Sequence, residues 1–131
     1  MTVFKDSVEL YNFYKDLIDL WLTNEEVQLV LEEYNTTIKF VIIDLEAYVF
    51  VGPGQVLLGE DAKNKEAKTV LETESTDIHN FWLKKINIVT AMVMKKIKVQ
   101  GSVDPIMEIV PLMEIISDQY PEYCRKNGIP V

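Results

Sequence analysis

Residues able to do chemistry are sparse in this sequence, which holds one histidine, His79, and one cysteine, Cys124, among 131 residues. Zinc and iron centres need several His, Cys or carboxylate ligands converging on one point, so no metal is expected here. His79 stands beside Asn80 at a capped helical start, a setting for a surface or structurally hydrogen-bonded imidazole rather than a catalytic base. No G-x-S-x-G elbow or S-x-x-K pair supplies an activated nucleophile. Gly52, Gly54 and Gly59 miss the G-x-G-x-x-G spacing and no G-K-[ST] follows them, so they read as turn residues rather than a phosphate loop. The carboxylate pairs Glu25 and Glu26, Glu32 and Glu33, and Glu72 and Glu74 fit a helix start and solvated faces better than an acid/base couple. Cys124 reads as a structural thiol near a helix end. The chain is therefore expected to be no enzyme, with no catalytic residue and no cofactor.

The elements around these residues are legible from their periodicity. Leu10, Tyr14, Leu17, Ile18 and Trp21 form the stripe of an amphipathic helix over about residues 7 to 22. Thr23 with Glu26 reads as a capping box opening a second helix, with Val27, Val30, Leu31 and Tyr34 on one side. From Thr36 to Val51 the residues become β-branched and aromatic, with Ile38, Phe40 and Ile42 opposite Val41 and Ile43 and a polar break at Asp44 to Glu46, which predicts a hairpin. Gly52, Pro53 and Gly54 make a turn. Gln55 to Leu58 and Lys68 to Glu74 then supply two further strands around the charged loop Glu60 to Lys65, giving an antiparallel meander.

Ser75, Thr76 and Asp77 offer a cap to a helical segment, in one or two pieces, that carries Ile78, Phe81, Trp82, Ile86, Val89, Met92 and Val93. Alternation over Lys96 to Gln100 predicts a half-buried strand joining the sheet. Asp104 and Pro105 open an apolar helix with Ile106, Ile109, Val110, Met113 and Ile116 on one side. Pro111 predicts a kink or break near residues 107 to 111, and Pro121 a separate last helix ended by Gly128.

Composition sets the outer limits. At 131 residues, 48% hydrophobic and 26% charged, the chain has the means to bury a core, and one domain over residues 1 to 131 is expected. A net charge of -8 repels phosphate backbones, so nucleic acid is not an expected partner, and the same acidity disfavours stable membrane insertion or anchoring. Apolar runs are too short to span a bilayer. Thr2, Val3, Phe4, Lys5 and Asp6 lack the pattern of a signal peptide, and with the lone thiol they lead to an expectation of cytoplasm.

Met94, Lys95, Lys96, Ile97, Lys98, Val99, Gln100 and Gly101, followed by an apolar helix, resemble the strand, glycine and helix segment of sterol-carrier-protein domains. The family's pattern is a glycine, alternating lysines and aliphatics, then a glycine; Lys95 stands where the first glycine usually lies. Phe81, Trp82, Leu83 and the stretch from Lys84 to Asn87, with the strands before them, follow in the family's order, so the resemblance runs from about Leu10 to Tyr120. It implies an α+β fold with a five-stranded, mainly antiparallel sheet covered by helices, and a hydrophobic tunnel between the two. It also implies non-catalytic carriage or presentation of a fatty acid, fatty acyl-CoA, sterol or similar lipid. Carried onto this chain, Ile106, Ile109, Val110, Met113 and Ile116 would form part of the tunnel wall. Phe81, Trp82, Val89, Met92 and Val93 would supply the facing or gating surface. The competing reading is an interaction module with a filled core, whose apolar surface forms a homodimer or docks a partner.

Overall fold

The computed structural model describes residues 3–131, apart from the side chains of residues 105 and 109. Helix α1 (Ser7–Leu22) is capped by the Asp6 carboxylate, which accepts from the Glu9 N–H, and it buries Leu10, Phe13, Tyr14, Leu17, Ile18 and Trp21. Helix α2 (Glu25–Glu33) starts one residue later than the expected box. Asn24, not Thr23, is its cap, accepting from the N–H groups of Glu26 and Val27, while the Thr23 hydroxyl turns back to the Leu20 carbonyl and closes α1. Asparagine caps as well as threonine, so a Thr-Asn pair leaves the choice to the geometry of the turn.

The sheet consists of β1 (Ile38–Ile42), β2 (Ala47–Gly52), β3 (Gln55–Leu58), β4 (Thr69–Thr73) and β5 (Ile97–Gly101), in the spatial order β3-β2-β1-β4-β5. Strands β1 and β2 form the expected hairpin, joined through a 3-10 turn at Ile43–Leu45 with Glu46 in the left-handed region. The expected meander stops at β3. The chain then passes through the short helix α3 (Glu60–Lys63) and crosses to the far side of β1, where β4 pairs with it in parallel, Phe40 opposite Leu71. Three antiparallel pairings and one parallel one make the sheet mixed. The register puts Ile38, Phe40 and Ile42 on one face with Val51, Val49 and Ala47 of β2 and Leu71 of β4. That face is buried under the helices.

Helix α4 (Ser75–Trp82) follows β4 directly, and the Asp44 carboxylate in the 3-10 turn accepts from both the N–H and the hydroxyl of Ser75. A second piece, α5 (Ile88–Val93), capped by the Asn87 side chain, leads into β5 at the sheet edge. The turn between them has Lys95 at φ 59°, the left-handed conformation a glycine takes at least expense. Lysine thus occupies a glycine conformation at the position where the family pattern has glycine.

The last helix differs from the sequence expectation. Helix α6 (Asp104–Lys126) runs through both Pro111 and Pro121 without dividing, its cap position filled by Val103. Each proline removes one intrahelical hydrogen bond. Tertiary packing keeps the helix in one piece: Ile106, Leu112, Met113, Ile116, Tyr120 and Cys124 are buried along it, and the Trp21 indole donates to the Leu112 carbonyl at 2.9 Å, next to Pro111.

Candidate functional site

Between the buried face of the sheet and the helices lies a small cavity of about 20 Å3, walled by Tyr14, Ile18, Phe40, Ile42, Val49, Ile78 and Trp82. Each element contributes residues at its own period. Tyr14 and Ile18 of α1 are four apart, as are Ile78 and Trp82 of α4, so each pair presents neighbouring turns of one helix face. Phe40 and Ile42 are two apart on β1, and Phe40 faces its cross-strand partner Val49 on β2. The wall carries no charge. The surface it turns toward the space is apolar throughout.

The Tyr14 hydroxyl begins a buried chain of hydrogen bonds. It lies 3.0 Å from the Tyr120 hydroxyl, which lies 2.8 Å from His79 Nδ1, and His79 Nε2 lies 2.7 Å from the Pro130 carbonyl. The direction of every proton follows from the carbonyl end. A carbonyl can only accept, so His79 Nε2 carries the hydrogen. Burial lowers the pKa of His79, with the Pro130 bond opposing and the Lys85 charge assisting, which keeps the ring neutral and leaves Nδ1 as an acceptor. Tyr120 therefore donates to Nδ1, and Tyr14 donates to Tyr120. Burial raises the pKa values of both phenols, so neither ionises near neutrality. The Cys124 thiol sits beside the Tyr120 hydroxyl and is pushed up to about 11 by burial, which makes it a poor nucleophile at neutral pH.

Trp82 is 4% exposed, and its indole N–H makes no hydrogen bond. It stands near enough to Tyr14 to count among the groups acting on that phenol, but without hydrogen-bond geometry. An unsatisfied buried donor costs about 1–3 kcal/mol, a cost the fold carries in a residue beside the cavity.

Outside the cavity, a groove of about 280 Å3 runs between the segment from Phe81 to Ile88 and the Val110 to Ser117 turns of α6. Phe81 lines the groove, Trp82 lines the cavity, and their rings lie tilted at 58° to each other with centroids 4.9 Å apart. One ring of this neighbouring pair thus belongs to each space.

Of the residues expected to line a tunnel, Trp82 lines the cavity, while Phe81, Val110 and Met113 line the groove. Ile106 and Ile116 are buried in the core, and Met92 is partly buried against it. Val89 and Val93 point outward, 52% and 76% exposed. The side chain of Ile109 lies outside the described residues. The cavity residues that sequence reasoning missed, Tyr14, Ile18, Phe40, Ile42 and Val49, were visible in it as stripe and strand positions, but nothing in their spacing says that the layers they face stay apart. Among the described residues no group of three or more His, Cys, Asp or Glu side chains could hold a metal ion, and no helix is long and apolar enough to cross a membrane.

Comparison with known proteins places this architecture. A sequence profile described as the SCP-2 sterol transfer family matches residues 15–114. Among solved structures, the chain is similar to the sterol carrier protein domain 2 of Helicoverpa armigera, at 17% identity and a TM-score of 0.64, covering 83% of this chain and 88% of that one. It is similar also to Sterol Carrier Protein 2 from Yarrowia lipolytica in its apo form, at 15% identity and a TM-score of 0.63, covering 86% and 92%. A stereoselective inverting sec-alkylsulfatase from Pseudomonas shares the fold over 65% of this chain at 16% identity and a TM-score of 0.54, and the chain spans 14% of that enzyme's length. No curated protein sequence matches.

Proposed function

Because the chain belongs to the SCP-2 sterol transfer family, we propose that it is a non-catalytic carrier that holds the tail of a fatty acid, fatty acyl-CoA or sterol-like lipid in the cavity under α1 and α4. The observation that carries this reading is the uncharged, wholly apolar lining of the cavity between the sheet and the helices. Apolar surface gains about 25 cal/mol per Å2 on leaving water, and a wall without charge returns none of that gain as desolvation. A charged headgroup has no partner inside. It would stay in the groove, beside Lys84 and Ser117.

At about 20 Å3 the cavity has room for little more than one water-sized sphere, far below the range of roughly 300–1,000 Å3 that encloses small-molecule ligands. A long acyl chain therefore requires the Phe81 and Trp82 rings to part and join the cavity to the groove. The polar chain behind Tyr14 would hold one wall fixed while those rings move. Titration of the delipidated protein with a fluorescent long-chain fatty acid, followed by displacement with unlabelled fatty acid, acyl-CoA and sterol, tests the reading. Saturable one-to-one binding with displacement is the expected result. A folded protein that takes up no probe would favour the competing interaction module, for which the exposed Val89, Val93 and Met94 are the supporting observation.

A further inference from the structure

The outer face of the sheet carries two aromatic residues of β2, Tyr48 and Phe50, two positions apart, and each has a lysine over its ring. Lys63 Nζ stands 5.6 Å from the Tyr48 centroid and Lys65 Nζ 5.9 Å from that of Phe50, within the reach of about 6 Å for a cation–π contact. Helix α3 and the loop after it are thus held over β2, and the Lys39 ammonium, donating to the Lys63 carbonyl at 3.0 Å, ties down the end of α3. The two rings differ in what surrounds them. Phe50 is 1% exposed and closed over, whereas Tyr48 is half-buried and lines a pocket of about 390 Å3 together with Tyr11, Glu46, Gly59, Glu60 and Lys63.

The pocket lies where the pairing of β2 with β3 opens. Gly59 still donates to the Tyr48 carbonyl at 3.1 Å, but it then turns into α3 at φ 67°, and the Tyr48 N–H goes to the Tyr11 hydroxyl, also at 3.1 Å. A phenol of α1 thereby takes the place of a strand carbonyl, which fixes the Tyr11 side chain at the end of the sheet. The space is of the size that encloses small ligands, roughly 300–1,000 Å3. It shares no lining residue with the apolar cavity or with the groove.

We infer that this pocket binds a small organic cation of the alkylammonium class, with the charged end lodged between Tyr11 and Tyr48 in the field of Glu46 and Glu60. An aromatic face attracts a cation and repels an anion, and the two carboxylates outweigh the one lysine among the lining residues. Carboxylates alone draw in any cation without choosing among them; here the aromatic walls make the choice. A metal ion needs several oxygen ligands converging on it, and among the described residues no group of three or more His, Cys, Asp or Glu side chains provides them. An alkylammonium needs only ring faces and nearby negative charge. Tyr48 already receives a cation of this kind, the ammonium of Lys63. A bound ligand displaces that ammonium, so Lys63 competes with it for the ring.

Choline is the probe. Heteronuclear NMR titration with choline chloride, with sodium chloride holding the ionic strength constant, should shift the backbone N–H signals of Tyr48, Gly59 and Glu60 together and saturably at millimolar concentration. The uncharged carbon isostere, neohexyl alcohol, should not. Tyr48→Leu should weaken binding about five-fold, and Glu46→Gln and Glu60→Gln about two-fold each. Lys63→Gln removes the competing ammonium and should tighten binding about three-fold, the opposite of what loss of a merely structural lysine would do. Glu114→Gln removes the same charge at the groove and should leave binding within about two-fold of the parent. Circular dichroism checks that each variant is folded. No lipid is involved, so the result is separate from lipid uptake. Equal shifts with neohexyl alcohol or with sodium chloride alone, weaker binding by Lys63→Gln, or no saturable shift in the folded parent would overturn the inference.

Discussion

Replacing Tyr120 by phenylalanine removes one oxygen from the centre of the buried chain. Tyr120 is fully buried, and its hydroxyl both donates to His79 Nδ1 and accepts from Tyr14. Without it an imidazole acceptor loses its donor and a phenol loses its acceptor, inside the buried core. Each orphaned buried group costs about 1–3 kcal/mol, so Tyr120→Phe should lower stability by about 2–6 kcal/mol. Tyr14→Phe stands at the end of the chain, where it deprives Tyr120 of one donor while the Tyr120 to His79 bond survives, and should cost about 1 kcal/mol. In the double variant the Tyr14 hydroxyl orphaned by the first change is itself gone, so the two costs should fall short of additive by about 1 kcal/mol. Urea denaturation of the four proteins at neutral pH, read as midpoint and slope, gives these numbers. Strict additivity, or a larger loss for Tyr14→Phe than for Tyr120→Phe, would refute the directional chain.

The remaining predictions concern His79 and two turns. Because burial holds the folded pKa of His79 below its ordinary value of 6.5, its contribution is intact above pH 6.5. As pH falls below 6.5 the unfolded chain takes up a proton that the folded one refuses, and stability is lost at up to about 1.4 kcal/mol per pH unit until the folded pKa is reached. His79→Gln should lack this component of the pH profile, and identical profiles would remove it. Gly101 has φ 92°, and a Cβ there would lie 2.3 Å from the Lys68 carbonyl oxygen, so Gly101→Ala should cost at least about 2 kcal/mol in urea denaturation, through strain and a clash at the β4–β5 pairing. Lys95, held at φ 59°, should tolerate glycine, and Lys95→Gly should raise stability by up to about 1 kcal/mol; a loss of stability would show the lysine side chain contributing more than its backbone strain.

Local pattern carried much of the fold. The stripe from Leu10 to Trp21 is α1, the alternation from Ile38 to Ile42 is β1, and the lysine-aliphatic run before Gly101 is β5, because each buries one face at the period of its element. What pattern could not carry was pairing between distant segments. Nothing in Thr69 to Thr73 distinguishes a strand that continues a meander from one that crosses to lie parallel beside β1. The continuity of α6 through Pro111 and Pro121 is likewise a tertiary result, since the local cost of proline is overridden by the buried stripe from Ile106 to Cys124 and by the Trp21 bond at Leu112. The candidate site lay further out of reach. Apolar, methionine-bearing helices directed attention to α5 and α6, whereas the cavity is walled by α1, α4, β1 and β2, and the polar chain behind it joins Tyr14, His79 and Tyr120 across more than half the sequence.

The most direct test of lipid carriage is to follow the Trp82 indole N–H and the methyl groups of Ile42, Val49 and Ile78 by heteronuclear NMR while a long-chain fatty acid is added to the delipidated protein. If the cavity takes the acyl tail, those methyl signals and the Trp82 N–H should shift together and saturate at one ligand per chain, with Phe81 shifting as the two rings part. Shifts confined to the groove residues Ile86, Val110 and Met113, with Trp82 and the sheet methyls unmoved, would contradict it.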